Sequence, residues 1–235
     1  LAEKSPCRPF GSVYSQANSI EKTSIACAVA APTAPLLFVS VASYNDPELL
    51  PTLHDAYAKA AHPELLRFGV VDQCVEDRYE ALPVWKEQIR YLWMQARDAR
   101  GVCFARSIIQ GMMDGEAYVL QIDSHMRFDP EWDQIMIDQL QAVGDPRALL
   151  TASPMPWTQE VGITPMPAGK AIKLEQHPDY PMRNRASLVP NPSGEAIPGQ
   201  RLAAGCLFAA GHLYDEVPYD PHLYFNGEEL VYAQR

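Results

Sequence analysis

Asp123, Ser124 and His125 bring a carboxylate, a hydroxyl and an imidazole together, directly after an apolar run that ends at Ile122. Side chains alternate between the two faces of a strand, so the first and third of these can converge on one point if the extended backbone continues. A carboxylate oxygen and an imidazole nitrogen suit a divalent cation such as Mn²⁺, with an oxygen-rich Mg²⁺ site as the next choice. The alternative is a strand-end aspartate that caps a turn, beside a surface histidine.

The hydrophobic pattern around this motif alternates between strand and helix. In chain order, the predicted elements are strand 35–43, helix 47–61, strand 65–73, helix 87–112 with a break near Gly101, strand 117–123, helix 130–143 and strand 147–154. This alternation predicts an α/β fold with a mostly parallel central sheet flanked by helices. We interpret Trp132 as a core residue and Asp133 as a solvated acid at a helix start.

Polar residues end three of the predicted strands. Ligands of open α/β sheets bind beyond the carboxyl ends of the strands, so these residues are the natural lining of a site. They are Ser43 to Asp46, Asp72 with Gln73, and Asp123 to His125.

The length of 235 residues, 47% of them hydrophobic, suits one substantial core and is too short for two large ones. Residues 1–34 have weak periodicity and are interpreted as an N-terminal extension, which leaves 35–235 as one domain. Residues 151–200 hold nine of the 21 prolines. We expect this stretch to be irregular and to shape the acceptor side of a cleft.

Charge and cysteine usage exclude several classes of partner. A net charge of −10 argues against a general basic surface for nucleic acid or anionic lipid. No apolar run approaches the ~20 residues that a membrane span needs. The five cysteines are odd in number and lack C-x-x-C spacing, so a zinc site or a disulfide framework has little support. Cysteines without such a framework favour a reducing, cytoplasmic location. Cys103 and Cys206 are predicted core residues.

Four segments carry a family resemblance: "FVSVASYNDPELLPTL", "QIDSHMRF", "AAGCLFAAG" and "VPYDPHLYFNGEEL". In this order they resemble the cytoplasmic α-N-acetylglucosaminyltransferases that modify hydroxyproline on an adaptor subunit of ubiquitin ligases, and their bacterial relatives. More distantly they resemble the polypeptide N-acetylgalactosaminyltransferases. The resemblance covers roughly residues 36 to 235. It implies a GT-A fold, a UDP-sugar donor, Mn²⁺ or Mg²⁺, and retaining transfer of N-acetylglucosamine to a hydroxyl on protein or glycan.

The resemblance implies that Asp123 and His125 are the metal ligands of a DXD-like motif, with Ser124 near the ribose or phosphate. Related enzymes often take a third ligand from a histidine further along the chain. No histidine follows His222 here, so we expect the third ligand to lie beyond Arg235 or the site to be completed differently.

The resemblance also implies the donor pocket. Arg106, in "GVCFAR", matches an arginine near the diphosphate, which a guanidinium suits. Gly205 would let the backbone approach the donor sugar. The residues implied to bind the base and ribose are Ser43, Tyr44, Asn45, Asp72 and Gln73.

Glu228 and Glu229 match the family's acidic motif, which faces the sugar and the acceptor. One would contact donor sugar hydroxyls and the other would orient the acceptor. Double displacement through a carboxylate nucleophile and front-face attack both stay open. The pair can also be an acidic helix start that complements the helix dipole. Two other functions stay open for the chain: a nucleotide-sugar-binding protein without turnover, and a metal-dependent nucleotide-sugar hydrolase.

Overall fold

The computed structural model describes residues 37–235, so the predicted extension over residues 1–34 lies outside the described residues. The strands are β1 (Leu37–Tyr44), β2 (Leu66–Cys74), β3 (Ile89–Gln95), β4 (Tyr118–Asp123), β5 (Leu149–Thr151), β6 (Trp157–Thr158), β7 (Gly162–Ile163), β8 (Lys170–Gln176), β9 (Asn184–Pro190) and β10 (Cys206–Ala210). The helices are α1 (Leu49–Lys59), α2 (Val102–Gln110), α3 (Trp132–Val143), α4 (Leu213–Glu216) and α5 (Glu228–Ala233). Short 3₁₀ turns cover Pro63–Leu65, Tyr79–Ala81, Lys86–Gln88 and Ala96–Asp98.

Six strands form the central sheet, in the order β3-β2-β1-β4-β10-β5. β1 to β4 run parallel, and β10 runs antiparallel between β4 and β5. The predicted α/β fold with a mostly parallel sheet is confirmed. β1 and β4 are neighbours, yet the chain leaves β1 towards β2 and leaves β4 towards the opposite side of the sheet. Such a reversal opens a crevice at the carboxyl ends of the strands, where ligands bind.

Helices cover both faces of the sheet, which explains the unbroken apolar run of β1. Strands of a doubly covered parallel sheet are buried on both sides and lack alternation. On one face, α1 and α3 pack through residues such as Leu53 and Trp132, and on the other face α2 packs through Ile109. Trp132 is fully buried, as predicted, and donates a hydrogen bond to the carbonyl of Ala56 at 2.8 Å.

The predicted helix over 87–112 is wrong in its first half. Ile89–Gln95 is strand β3, which pairs with β2, and α2 begins only at Val102. β3 lies at the sheet edge with both faces half-buried, so it lacks the alternation that marks a strand. Its Leu, Met, Gln and Arg residues favour helix intrinsically, and pairing with β2 overrides that preference. The break predicted near Gly101 lies at the residue that directly precedes α2.

Helix α3 confirms the helix predicted over 130–143 but begins two residues later, because Glu131 has a left-handed backbone with φ 61°. Asp133 is not solvated as predicted. It is buried and accepts hydrogen bonds at 2.7 and 3.0 Å from the backbone N–H groups of Ala61 and His62, just after α1. Its carboxylate therefore fastens the start of α3 to the end of α1.

The expectation of an irregular stretch over 151–200 is wrong in part, because two antiparallel hairpins, β6–β7 and β8–β9, lie within it. Across β8 and β9 only Leu174 is buried. A strand with so little contact with a core leaves a weak hydrophobic pattern in the sequence.

None of the helices in the described part of the chain combines the length and the apolar character that a membrane span requires. Cys103 and Cys206 are buried, as predicted. Cys7 and Cys27 lie outside the described residues.

Candidate active site

Asp46 joins the loops that leave β1 and β4. Its Oδ2 accepts a hydrogen bond from Ser124 Oγ at 2.9 Å and lies 2.7 Å from Nδ1 of His125, while its Oδ1 accepts one from the Glu48 backbone at 2.9 Å. Burial raises the pKa of Asp46, but the hydrogen bonds from His125, Glu48 and Ser124 lower it by more, so the pKa lies well below its usual value. Asp46 is thus a carboxylate acceptor for this part of the site.

Asp123 and His125 both reach solvent, with side chains 46% and 34% exposed. Oδ1 of Asp123 lies 3.7 Å from Nη2 of Arg106. Its Oδ2 occupies the space beside Gly205, where a Cβ atom would lie only 2.4 Å away. The close approach that Gly205 permits in this structure is therefore to the Asp123 carboxylate, and its contact with a donor sugar stays a prediction.

A metal at this edge would have few protein ligands. Within residues 37–235, no group of three or more His, Cys, Asp or Glu side chains is arranged to hold a metal ion. Mg²⁺ in particular is often held by one or two carboxylates together with substrate phosphates and water, and Asp123 can supply such a carboxylate. His125 is oriented as a metal-binding histidine usually is, with one ring nitrogen towards a carboxylate, here Asp46. They stay predicted ligands.

Arg106 is a buried cation whose hydrogen-bonding capacity is largely unused. Its Nη2 donates to the carbonyl of Ala204 at 3.1 Å, but Nε and Nη1 are buried without a hydrogen-bond partner. Nη1 lies 3.8 Å from Oε1 of Glu228, beyond hydrogen-bonding distance. Burial raises the pKa of Glu228 above its usual value, and Arg106 offsets only part of that. Unsatisfied buried donors of this kind suit an anionic ligand.

Glu229 is fully engaged within the protein. Its Oε1 accepts the backbone N–H of Ala204 at 2.8 Å, and its Oε2 accepts Nδ2 of Asn184 at 2.7 Å. Nδ2 of Asn184 also donates to the carbonyl of Leu202 at 2.6 Å. Burial raises the pKa of Glu229, and the hydrogen bond from Ala204 offsets part of that rise. The structure therefore gives the two predicted catalytic glutamates different surroundings.

The polar residues at the end of β2 belong to a hydrogen-bond network that the sequence did not predict. Asp72 is fully buried and accepts hydrogen bonds from Nε and Nη2 of Arg78, at 2.7 and 2.5 Å, and from the Tyr91 hydroxyl at 3.0 Å. Gln73 and Ser43 are buried as well, and Nε2 of Gln73 donates to the Ser43 carbonyl at 3.2 Å. The predicted contacts of these three residues with a base stay predictions, and Asp72 already has three donors.

Tyr44 and Asn45, by contrast, stand at the surface. Tyr44 is 59% exposed, and Asn45 lines an open pocket of about 350 Å³ with Pro47, Arg78 and the segment 74–76. This pocket lies beyond the carboxyl ends of β1 and β2, where the sequence predicts the nucleoside. It is large enough for a single heterocyclic ring.

A second cavity, about 560 Å³ in volume, runs along the free edge of β5 towards the β8–β9 hairpin. None of the predicted site residues lines it. It reaches Leu202, whose carbonyl binds Asn184, so it adjoins the site without including it. We therefore place the candidate site at the β1–β4 crevice and not in this larger cavity.

Asp46 lies in the predicted lining but had no predicted role, and Arg78 was not predicted at all. Arg78 donates from Nη1 to the Asp46 carbonyl at 2.8 Å and is held by Asp72. Asp46 and His125 are 79 residues apart in the chain. Nothing in the local sequence signals such a contact. Both residues nevertheless follow predicted strands, and the carboxyl ends of parallel strands lie at one edge of the sheet.

The crevice at the carboxyl ends of the parallel strands, with Asp123, His125 and the buried Arg106 beside it, lies where an open α/β sheet binds its ligand. The family model described as Glycosyltransferase (GlcNAc) matches residues 36–83 and 74–235. The chain belongs to this glycosyltransferase family. No curated protein sequence matches it.

Solved structures agree on the fold. A crystal structure of GalNAc-T7 with UDP, GalNAc and Mn²⁺ superposes with a TM-score of 0.64 at 15% identity, covering 86% of this chain and 40% of the other. The S. aureus TarS 1–349 structure in complex with UDP-GlcNAc gives 0.52 at 13% identity, covering 84% and 52%. These neighbours show a GT-A fold, as predicted. The chain spans only about half, or less, of the length of either neighbour.

Proposed function

We propose that this chain forms the donor-binding domain of a metal-dependent, retaining glycosyltransferase. It would move N-acetylglucosamine, or a related sugar, from a UDP-sugar to a hydroxyl on a protein or glycan acceptor. The observation that carries the proposal is the meeting of Asp46, Ser124 and His125 beside Asp123 at the β1–β4 crevice. Family membership supports the transfer reaction, and the neighbours solved with UDP or UDP-GlcNAc support the donor.

Asp123 and His125 would hold Mn²⁺ or Mg²⁺, which when bound neutralises the charge that develops on a leaving diphosphate. Arg106 would donate its unused Nε–H and Nη1–H groups to the same diphosphate. Ser124 is held by Asp46 and would face the ribose or phosphate. The protein thus brings two kinds of cation to one anion, in a partly dry site where their attraction is strong.

The base and ribose would lie over Tyr44 and Asn45, with Ser43, Asp72 and Gln73 supporting the pocket from below. Glu228 would face the sugar hydroxyls beside Arg106. Glu229 would act by holding Ala204 and, through it, Gly205. Retention of configuration, N-acetylglucosamine as the sugar, and the acceptor classes come from the family resemblance.

The test is calorimetric titration of UDP and UDP-N-acetylglucosamine, with and without Mn²⁺, on the wild type and on Asp123→Ala. We expect metal-dependent binding that Asp123→Ala abolishes. Asp138→Ala, which removes an exposed acid on α3, is the matched control and should bind as the wild type does. Metal-independent binding, unaffected by Asp123→Ala, would refute the metal site.

Turnover separates this function from its two competitors. Acceptor-stimulated release of UDP from a UDP-sugar is the result expected of a transferase. Release at a rate that no acceptor changes would favour a nucleotide-sugar hydrolase. Donor binding without any release would favour a binding protein of the same fold.

A further inference from the structure

The side chain of Asp46 is held at both oxygens, and its backbone is held as well. Oδ1 accepts the Glu48 N–H, Oδ2 serves Ser124 and His125, and the carbonyl accepts Nη1 of Arg78. The Asp46 side chain is only 12% exposed. Its carboxylate is therefore a fixed acceptor and not a mobile surface group.

Arg78 is itself fixed by two hydrogen bonds to the buried carboxylate of Asp72. Paired N–H donors of a guanidinium on one carboxylate give a geometry that resists rotation. The backbone of Asp46 is therefore held from β2, through Arg78, beside the pocket that Asn45 and Arg78 line. One polar chain runs from the predicted nucleoside pocket to His125.

We propose that Asp46 is a positioning residue that fixes the ring and the tautomer of His125, so that Nε2 is the nitrogen that binds the metal. This inference rests on the metal site of the proposed function. A carboxylate at 2.7 Å from Nδ1 requires a proton on that nitrogen. In the neutral ring the other nitrogen, Nε2, then carries the lone pair, which is the form a metal needs.

A purely structural role for Asp46 makes a different prediction. Its hydrogen bond to the Glu48 N–H lies just before α1, which begins at Leu49. If Asp46 served only this turn, replacing it would lower the stability of the protein and leave the metal affinity of folded protein unchanged. Asp46→Asn separates the two roles. Its amide oxygen can still accept the Glu48 N–H, while its N–H₂ meets Nδ1 of His125 and the Ser124 hydroxyl, which can accept as well as donate.

We therefore expect Asp46→Asn to unfold at nearly the wild-type temperature but to bind Mn²⁺ about 10–100-fold more weakly, the usual effect of losing such a partner. Mn²⁺ affinity is measured by electron paramagnetic resonance of the free ion, without nucleotide. The matched control is Asp55→Asn, because Asp55 also accepts a backbone N–H from the loop after β4, that of Phe128, at 2.6 Å. It does not contact His125 and should leave Mn²⁺ affinity unchanged.

A second readout needs no metal. The ¹⁵N chemical shifts of the His125 ring, assigned by comparison with His125→Gln, report which nitrogen carries the proton at a pH where the ring is neutral. We expect Nδ1–H in the wild type and a shift towards Nε2–H in Asp46→Asn. Unchanged shifts, or unchanged Mn²⁺ affinity, in Asp46→Asn would overturn the inference. An Nδ1–H ring in a wild type that binds no Mn²⁺ would refute the metal site of the proposed function and still uphold the fixing of the ring by Asp46.

Discussion

The Asp123 carboxylate fills the space that a side chain at position 205 would need. A methyl group at position 205 would lie 2.4 Å from Oδ2 of Asp123, a distance that atoms do not adopt. We expect Gly205→Ala to push this carboxylate out of place and to weaken Mn²⁺-dependent UDP binding at least tenfold, about 1.4 kcal/mol. Isothermal titration calorimetry measures the change. Gly199→Ala, where the nearest atom lies at 3.9 Å, is the control and should bind normally.

Glu228 should make stability depend on pH. Burial raises its pKa above the ordinary value of 4.5. The stabilisation that the protonated form contributes is fully present below pH 4.5 and is lost as the pH rises through the raised pKa. Glu228→Gln keeps a neutral side chain at every pH. We therefore expect it to unfold at a higher temperature than the wild type at pH 8, and the difference to disappear near pH 4.

Thermal unfolding at several pH values between 4 and 8 measures this difference. Glu160→Gln, at an exposed site, is the control and should follow the wild type throughout. A Glu228→Gln protein that is less stable than the wild type at pH 8 would mean that the ion pair with Arg106 outweighs the cost of burying the charge.

The position of single residues was predictable from the sequence where they directly follow a buried strand. Asp123, Ser124 and His125 follow a buried strand, and the structure places them in the crevice. Asp46 and Arg78 owe their roles to contacts across neighbouring strands, and the sequence has no period or spacing that encodes such contacts. Glu228 and Glu229 have different surroundings because only Glu229 accepts the backbone N–H of Ala204. The sequence shows two identical neighbouring residues and therefore cannot distinguish them.

At the scale of elements, the start of α2 is fastened to the loop that precedes α5. The N–H of Val102 donates to the carbonyl of Tyr224 at 3.1 Å, and a Cβ atom on Gly101 would lie 2.3 Å from that same oxygen. Gly101 also has φ +95°, which side chains rarely adopt. We expect Gly101→Ala to destabilise the protein by about 3 kcal/mol or more, through strain and the lost contact together.

Gly115→Ala is the matched variant, because Gly115 has φ +77° but no atom within 4 Å of its Cβ position. It carries the backbone strain alone, for which we expect about 1 kcal/mol. Urea unfolding of both variants gives the two free energies. Equal values would show that the backbone at Tyr224 moves aside for the added methyl group at no cost in stability.

Elements with a strong period were predictable, and elements defined by their neighbours were not. α1 and β4 each have a clear pattern, and both appear where the sequence places them. β3 and the β8–β9 hairpin lie at edges and bury little, so their residues carry the weak signal of half-exposed strands. Pairing with β2 made β3 a strand against its own helical preference.

At the scale of the whole molecule, Glu229 connects three parts of the chain that are distant in sequence. It links α5 to the backbone of Ala204 and to Asn184 on the β8–β9 hairpin. Ala204 precedes Gly205, whose carbonyl accepts the N–H of Asp123 at 3.2 Å. A displacement of the hairpin should therefore reach the predicted metal ligand through only these few hydrogen bonds.

A double-mutant cycle tests whether these contacts act as a unit. Glu229→Gln keeps an acceptor for Ala204 but turns an amide N–H₂ towards the N–H₂ of Asn184, so two donors face each other. We expect Glu229→Gln and Asn184→Ala to destabilise the protein singly, and the double variant to lose less free energy of unfolding than the sum of the two by about 0.5–3 kcal/mol.

Glu175→Gln, on the same hairpin with its exposed partner Arg185, is the control and should leave the unfolding midpoint unchanged. Additive costs would mean that the hairpin and the α5 start are independent, and then Mn²⁺-dependent UDP binding should survive Asn184→Ala intact. If instead the two destabilisations are coupled and UDP affinity falls as well, the β8–β9 hairpin helps to hold Asp123 in place at the β1–β4 crevice.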